Sequence, residues 1–260
     1  MHLFIFGGSG MLGKRVVSQA RERGHTVFAP DHNSHPIQDS LDSLRWLSGG
    51  KDPDVIINCA GVCPPSSAEL MIPSNSIGPH KLSSFGFRLI HMSTDCVYSG
   101  RKSGWLDAAK DNPDPIDLYG RSKLAGEPAG DRVLIVRGSF IGPEHGFLRW
   151  LLDAKGTVKA WMNAIWNGGS ADRMAEALLN LAEGDLTGVI HVAAADHVTK
   201  AWMVEYLIDA LNLPLSVEIV KEPQISRALW PDVTLPHVKQ SLDELISQLN
   251  GEDRWTNLKS

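Results

Sequence analysis

His2-Leu-Phe-Ile-Phe-Gly-Gly-Ser-Gly-Met-Leu-Gly13 reads as a strand, a tight turn and the start of a helix. An apolar run ends in glycines at 7, 8, 10 and 13, and a helical pattern continues from Met11 to Arg23. Glycines in such a turn let the backbone bend sharply and approach a pyrophosphate, to which the helix N-terminus offers free N–H groups and a partial positive charge. A second strand, His25 to Ala29, follows. Asp31 stands about 20 residues past the turn, where an acidic side chain accepts from a ribose hydroxyl. A glycine-rich turn can also serve only the packing of helix on strand, but here strand, turn, helix and downstream acid occur together. The expected dinucleotide contacts are Gly7, Gly8, Ser9, Gly10, Met11, Leu12, Gly13 and Asp31.

Outward from that turn, strand-like apolar runs alternate with helical patterns. Strands are expected over 2–6, 25–29, 54–58, 87–92 and 132–137, with a helix near 73–85 between the third and fourth. That alternation predicts an α/β fold with a parallel sheet and helices on both faces. Beyond Gly138 the pattern shifts: Gly142-Pro143 breaks the chain, tryptophans cluster at 150, 161 and 166, and helices are expected near 146–154, 170–183 and 199–211. The expected division is a nucleotide-binding domain over 1–140 and a smaller, mostly helical lobe over 141–260, with a strand at 188–193 returning to the main sheet. No internal repeat or low-complexity segment occurs.

The ends of the strands carry the polar residues, as in other open α/β sheets. Asn58-Cys-Ala-Gly61 follows the third strand, where small residues leave room for a cofactor. Ser93-Thr-Asp-Cys-Val-Tyr98 follows the fourth, which turns Thr94 and Asp95 toward the crevice, although such a run also caps helices and turns. Tyr119-Gly-Arg-Ser-Lys123 lies 25 residues after Thr94. On a helix that spacing puts phenol and ammonium on one face. An adjacent ammonium stabilises a phenolate, and a tyrosine so tuned exchanges a proton with a carbonyl or alcohol oxygen, to which Thr94 adds a hydrogen bond. A Tyr and a Lys at this spacing are otherwise an ordinary solvated helix face, so the segment gains meaning from the glycine turn.

Composition narrows the class. The chain is 43% apolar and 21% charged, an ordinary globular balance, and its net charge of -5 with no basic run argues against a nucleic-acid binder. No stretch reaches the roughly 18 continuous apolar residues of a membrane span, and Met1-His-Leu-Phe opens a core strand without a basic leader. A soluble cytoplasmic protein is expected. Three cysteines, Cys59, Cys63 and Cys96, form no paired framework, and no Cys/His set of ligand spacing accompanies them, so free thiols and no metal are expected. His191 reads as a core imidazole.

Taken together, Gly7-Gly-Ser-Gly-Met-Leu-Gly13, Asn58-Cys-Ala60, Asn75-Ser-Ile-Gly78, Met92-Ser-Thr-Asp-Cys-Val-Tyr-Ser-Gly100, Leu118-Tyr-Gly-Arg-Ser-Lys-Leu-Ala-Gly-Glu127, Val136-Arg-Gly-Ser139 and Gly188-Val-Ile-His-Val192 resemble the extended short-chain dehydrogenases/reductases, in the dTDP-4-dehydrorhamnose reductase-like, sugar-nucleotide-modifying group. The resemblance implies a Rossmann-type doubly wound sheet, a smaller lobe that holds a nucleoside-diphosphate sugar, and Thr94, Tyr119 and Lys123 as the catalytic set. It adds Asn58, Cys59, Ala60, Asn75, Ser93, Tyr119 and Lys123 to the cofactor contacts. Thr94, Asp95, Cys96, Val97, Tyr119, Arg149, Trp150 and Trp166 are the substrate contacts, with the Trp-rich helix also readable as lobe core.

Cys96 stands where the family's usual motif has an aromatic residue. The Arg-Pro motif is reduced to Arg227-Ala-Leu-Trp-Pro231. The implied reaction is reduction of a 4-keto-6-deoxy nucleotide sugar with NADH or NADPH. Asp31 leans toward NADH, while Lys14 and Arg15 pull the other way. The resemblance leaves room for a homodimer. It also leaves open a 4-epimerase or dehydratase, for which Asp95 alone is the acidic neighbour of Thr94, and a regulatory subunit that binds nucleotide without turnover.

Overall fold

Alternation within each strand builds the sheet. In β1 (His2–Phe6), Leu3 and Ile5 join the core on one side of the sheet, and Phe4 and Phe6 the core on the other. The same split recurs in β3 (Val55–Asn58), β4 (Arg88–Met92) and β5 (Val133–Gly138), where Ile57, Ile90 and Leu134 face the first core and Ile56, Leu89 and Ile135 the second. Strands buried on both faces need helices on both faces. The computed structural model, which describes residues 1–30, 41–102, 104–222 and 225–251, supplies them. α1 (Met11–Glu22) covers one face through Leu12, Val16 and Ala20, and the other is covered by Leu44 of α2 (Leu41–Leu47) and Leu82 of α4 (Gly78–Ser83).

Short helix α3 (Ala68–Met71) runs through a π-helical stretch, Ile72–Ile77, into α4, so the helix expected near 73–85 begins earlier and ends two residues sooner. After α5 (Leu118–Leu124) and β5 come β6 (Phe140–Ile141), α6 (Gly146–Asp153), β7 (Gly156–Trp161), β8 (Ala164–Trp166) and β9 (Gly169–Ser170). Then follow α7 (Ala171–Ala182), β10 (Gly188–Ala194), β11 (Val198–Thr199), α8 (Lys200–Ala210), β12 (Leu215–Val220), β13 (Ile225–Ser226), β14 (Val233–Leu235) and α9 (Val238–Gly251).

The main sheet has seven strands in the order β14-β10-β5-β4-β3-β1-β2, all parallel. β1 pairs with β2 on one side and β3 on the other, so the chain reverses its direction of travel across the sheet between them. Such a switch point opens a crevice beyond the carboxyl ends of the strands, the place where open α/β sheets take their ligands. Phe6 and Asn58, partners in the β1–β3 register, bring the glycine turn and the Cys59–Gly61 segment to that crevice. Gly7 has φ +74°, and a Cβ there would lie 2.6 Å from the Ala60 nitrogen; a Cβ on Gly13 would lie 2.0 Å from the Gly7 oxygen. Only glycine permits this approach of turn, helix and neighbouring strand.

The sheet is the Rossmann-type doubly wound sheet expected, and the C-terminal region is richer in helix. Its own core gathers Leu148 and Leu151 of α6, Met203 and Leu207 of α8, and Leu242 and Leu245 of α9. α7 instead packs on α1 against the main sheet. Several features differ from the sequence expectation, the unexpected helices α2 and α9 among them. β14 adds an edge strand to the main sheet, and β7 pairs in parallel with β12. No helix among the described residues is long and apolar enough to cross a membrane.

Candidate active site

Tyr119 and Lys123 are placed by α5, which begins at Asp117, whose Oδ1 accepts from the Gly120 nitrogen at 2.7 Å. The Lys123 ammonium is buried and donates to the Met92 carbonyl at the end of β4, 2.8 Å away. Burial lowers its pKa to about 8, against the opposing pull of Cys63, Glu127 and Cys59. Thr94, also buried, caps a single 3-10 turn over Asp95–Val97: its Oγ1 accepts from the Cys96 nitrogen at 3.2 Å and donates to Asp95 Oδ1 at 3.1 Å. The same hydroxyl reaches the Tyr119 phenol. Thr94, Tyr119 and Lys123 therefore meet at the carboxyl end of β4.

The phenol differs from the expectation of a tyrosine tuned downward by Lys123. Burial, then the neighbouring thiols Cys63 and Cys96, raise it well above its ordinary value, and only the Thr94 hydrogen bond opposes them among these influences. With the ammonium held by Met92, Tyr119 is a protonated phenol at neutral pH. That form can give a proton.

Behind this group lies a buried polar chain. Ser93 Oγ donates to Glu127 Oε1 at 2.5 Å, and Glu127 pairs with the Arg137 guanidinium through two bonds of 3.1 and 2.7 Å. Arg137 also donates to the Tyr98 hydroxyl at 2.8 Å, leaving its proton for His191 Nε2 at 2.9 Å. Burial and the Arg137 charge lower the His191 pKa, so the imidazole is neutral. Glu127 and Arg137 stood in the sequence motifs without an assigned role.

The other expected residues divide by environment. Asn58 is fully buried; its Oδ1 accepts from the Ala60 nitrogen at 3.0 Å and its amide meets His91 Nδ1 at the same distance. Burial pushes the Cys59 thiol up to about 12. Asn75 commits its side chain to the Val62 backbone at 2.7 and 2.9 Å and to Ser122 at 3.0 Å, bracing the loop after β3 against α5. Ser9 and Gly10 are exposed, Gly7, Gly8 and Met11 are half-buried, and Leu12 and Gly13 are buried. Asp31 lies outside the described residues.

Of the substrate contacts, Asp95 and Cys96 border the site, whereas Val97 is buried in a small core with Tyr98, Leu106 and Leu229. Arg149 is paired with Asp153 one helical turn on, Trp150 is half open to solvent beside Phe147 and Trp161, and Trp166 is buried with its indole nitrogen on Ser139 Oγ at 2.7 Å. Lys14 is paired with Glu144, and Arg15 with Glu144 and Asp172. All three cysteines are free thiols, and no cluster of His, Cys, Asp and Glu among the described residues could hold a metal.

A family model described as the RmlD substrate binding domain matches residues 1–228. The chain belongs to that family. Among its RmlD-type relatives, a dTDP-4-dehydrorhamnose reductase of Mycobacterium tuberculosis is 32% identical over 220 residues, covering 76% of this chain and 71% of its own length. The "Probable low-salt glycan biosynthesis reductase" of Haloferax volcanii is 30% identical over 243 residues, 82% of this chain and 81% of its own. The crystal structure of a dTDP-4-dehydrorhamnose reductase from Clostridium acetobutylicum superposes with a TM-score of 0.84 over 96% of this chain and all of the other; at 21% identity that is a likeness of fold.

One residue near the RmlD-type site has no counterpart in the sequence reading. Lys200, the first residue of α8, is electrostatically coupled to Asp95, Cys96 and Arg227. Its only sequence signal is a cation directly after the helix-capping Thr199.

Proposed function

We propose that the chain is an NAD(P)H-dependent reductase of a nucleoside-diphosphate 4-keto-6-deoxy sugar, as the names of its relatives suggest. The observation that carries this reading is the meeting of Thr94, Tyr119 and Lys123 at the end of β4, with only β3 between it and the strand that leads into the glycine turn. The cradle fits a dinucleotide. Gly7 and Gly13 let the turn pack tightly on the neighbouring strand and on the start of α1, and α1 follows its N-cap Gly10 with no side-chain cap and no acid in its first turn, so its first N–H groups and dipole can face a pyrophosphate. When bound, the nicotinamide supplies the hydride to the keto carbon.

The chain's own residues do the rest. Tyr119 carries the proton and delivers it to the sugar oxygen, and Thr94 orients that oxygen from the other side. Lys123, charged below about pH 8, places a positive charge beside the reacting centre and next to the Cys59–Gly61 segment, where it serves the nicotinamide ribose. Residues 1–140 form the cofactor domain in this reading and 141–260 the substrate lobe. The cofactor preference leans to NADH, because Asp31 would repel a 2′-phosphate and the nearby cations, Lys14 and Arg15, are taken by Glu144 and Asp172.

Two measurements test the reading. Oxidation of NADH or NADPH is followed with a 4-keto-6-deoxy nucleotide sugar, with product analysis to separate reduction from epimerisation; a protein that binds cofactor but turns over no nucleotide sugar is a binding subunit instead. Titration of both cofactors into wild type and Asp31→Ala should show the substitution shifting the affinity ratio toward NADPH, and an unchanged ratio would remove Asp31 from the site.

A further inference from the structure

Lys200 is a cation in a place that opposes cations. It occupies the first turn of α8, whose N-terminal dipole disfavours positive charge. Arg227 adds like charge, and the surroundings take its ammonium out of water, so its pKa falls to about 8, with burial the largest cause. Among the described residues no carboxylate comes within ion-pairing distance of it. Asp95 leads the attracting groups, ahead of Cys96, and it already accepts the Thr94 hydroxyl.

The ammonium instead stands over two aromatic rings, 4.4 Å from the Phe147 centroid and 5.2 Å from that of Trp166. Arg227 is anchored beside it: Nε donates to the Tyr98 carbonyl at 2.9 Å and Nη1 to Cys96 Sγ at 3.1 Å. Two guanidinium and ammonium charges thus converge on the turn that carries Thr94, with a helix N-terminus behind them. An anion there would relieve each unfavourable feature at once: the desolvated ammonium, the like charge of Arg227 and the uncompensated dipole.

We propose that Lys200, steadied by Arg227, is the cation that grips the substrate, pairing with a phosphate oxygen of a nucleoside diphosphate. The proposal rests on the nucleotide-sugar reading above; Arg149, among the expected substrate contacts, is paired with Asp153. The facing charged and titratable groups are Asp95 and Cys96 from the 3-10 turn and Arg227 from the segment after β13. Because the free ammonium loses its charge as pH rises through about 8, affinity for the anion is full below that value and declines above it.

The test is calorimetric titration of dTDP and UDP into protein holding saturating NAD or NADP, so that the cofactor cradle is filled. Lys200→Met, which keeps an unbranched apolar stem against Phe147, should weaken nucleoside-diphosphate binding about tenfold or more at neutral pH. Wild-type affinity should fall about fivefold between pH 8 and pH 9 as the charged fraction drops, and Lys200→Arg should bind as tightly as wild type without that fall. Wild-type affinity in Lys200→Met, or the same pH dependence in Lys200→Arg, would overturn the assignment while leaving the reductase reading in place. If wild type with bound cofactor takes up neither nucleotide, the nucleotide-sugar reading fails and this assignment with it.

Discussion

In the proposed reduction Tyr119 donates a proton, and its environment keeps that proton in place. Burial and the two thiols penalise the phenolate, and the nearby Thr94 hydroxyl eases its formation only when its proton turns from Asp95 to the phenol oxygen. Removing the hydroxyl alone, in Tyr119→Phe, should therefore lower turnover by roughly 10²-fold or more with unchanged cofactor affinity and melting temperature. Thr94→Val, nearly isosteric, should cost less. Rates measured with saturating cofactor and nucleotide sugar check both, and full activity in Tyr119→Phe would mean that the proton comes from elsewhere. At this scale the sequence was readable where placement depends on spacing: Tyr119 and Lys123, four apart, do stand together on α5. For Arg149 it also held a sign of the pairing that the structure shows, since Asp153 stands four residues on. It was silent on Lys200, because Asp95, Phe147, Trp166 and Arg227 approach it only through the tertiary fold.

At the scale of elements, α5 has only seven residues, fewer than a helix needs to persist unaided, so its contacts fix where Tyr119 and Lys123 stand. Asp117 closes its first turn, and Asn75 and Ser76 hold its far side through Ser122. Asp117→Ala should lose about 1 kcal/mol in urea unfolding, the ordinary cost of an N-cap. Asp117→Asn keeps an acceptor and should lose little. Equal losses in the two variants would show that the charge of Asp117 toward Arg227, 3.9 Å away, matters more than the cap. The strands that sequence patterns located to within a residue, β1 to β5 and β10, belong to the main sheet, whose strands carry apolar residues toward its cores. β14 escaped notice since three residues, one of them exposed, carry no periodicity, and β7 and β12 because their pairing joins stretches far apart in the chain.

Across the whole molecule, the Ser93–Glu127–Arg137–Tyr98–His191 chain joins the end of β4, the residues after α5, the end of β5 and the middle of β10. Glu127 and Arg137 are both nearly inaccessible, with side-chain exposures of 7% and 6%, so neither charge can fall back on water if the other is removed. Burying such a pair adds little net stability, but breaking it leaves one charge stranded. Arg137→Met should accordingly cost roughly 3–5 kcal/mol, and Glu127→Gln a comparable amount, because its one oxygen cannot replace both carboxylate acceptors and the Arg137 charge is left without a counter-ion. The double variant Glu127→Gln with Arg137→Met should be more stable than Arg137→Met alone, since the stranded carboxylate is gone. Denaturant unfolding of the four proteins gives the coupling directly. Additive losses in that cycle would mean that the two side chains act independently, and the positioning of Thr94 relative to Tyr119 and Lys123 would then have to come from the Thr94 cap and the Asn75 brace alone.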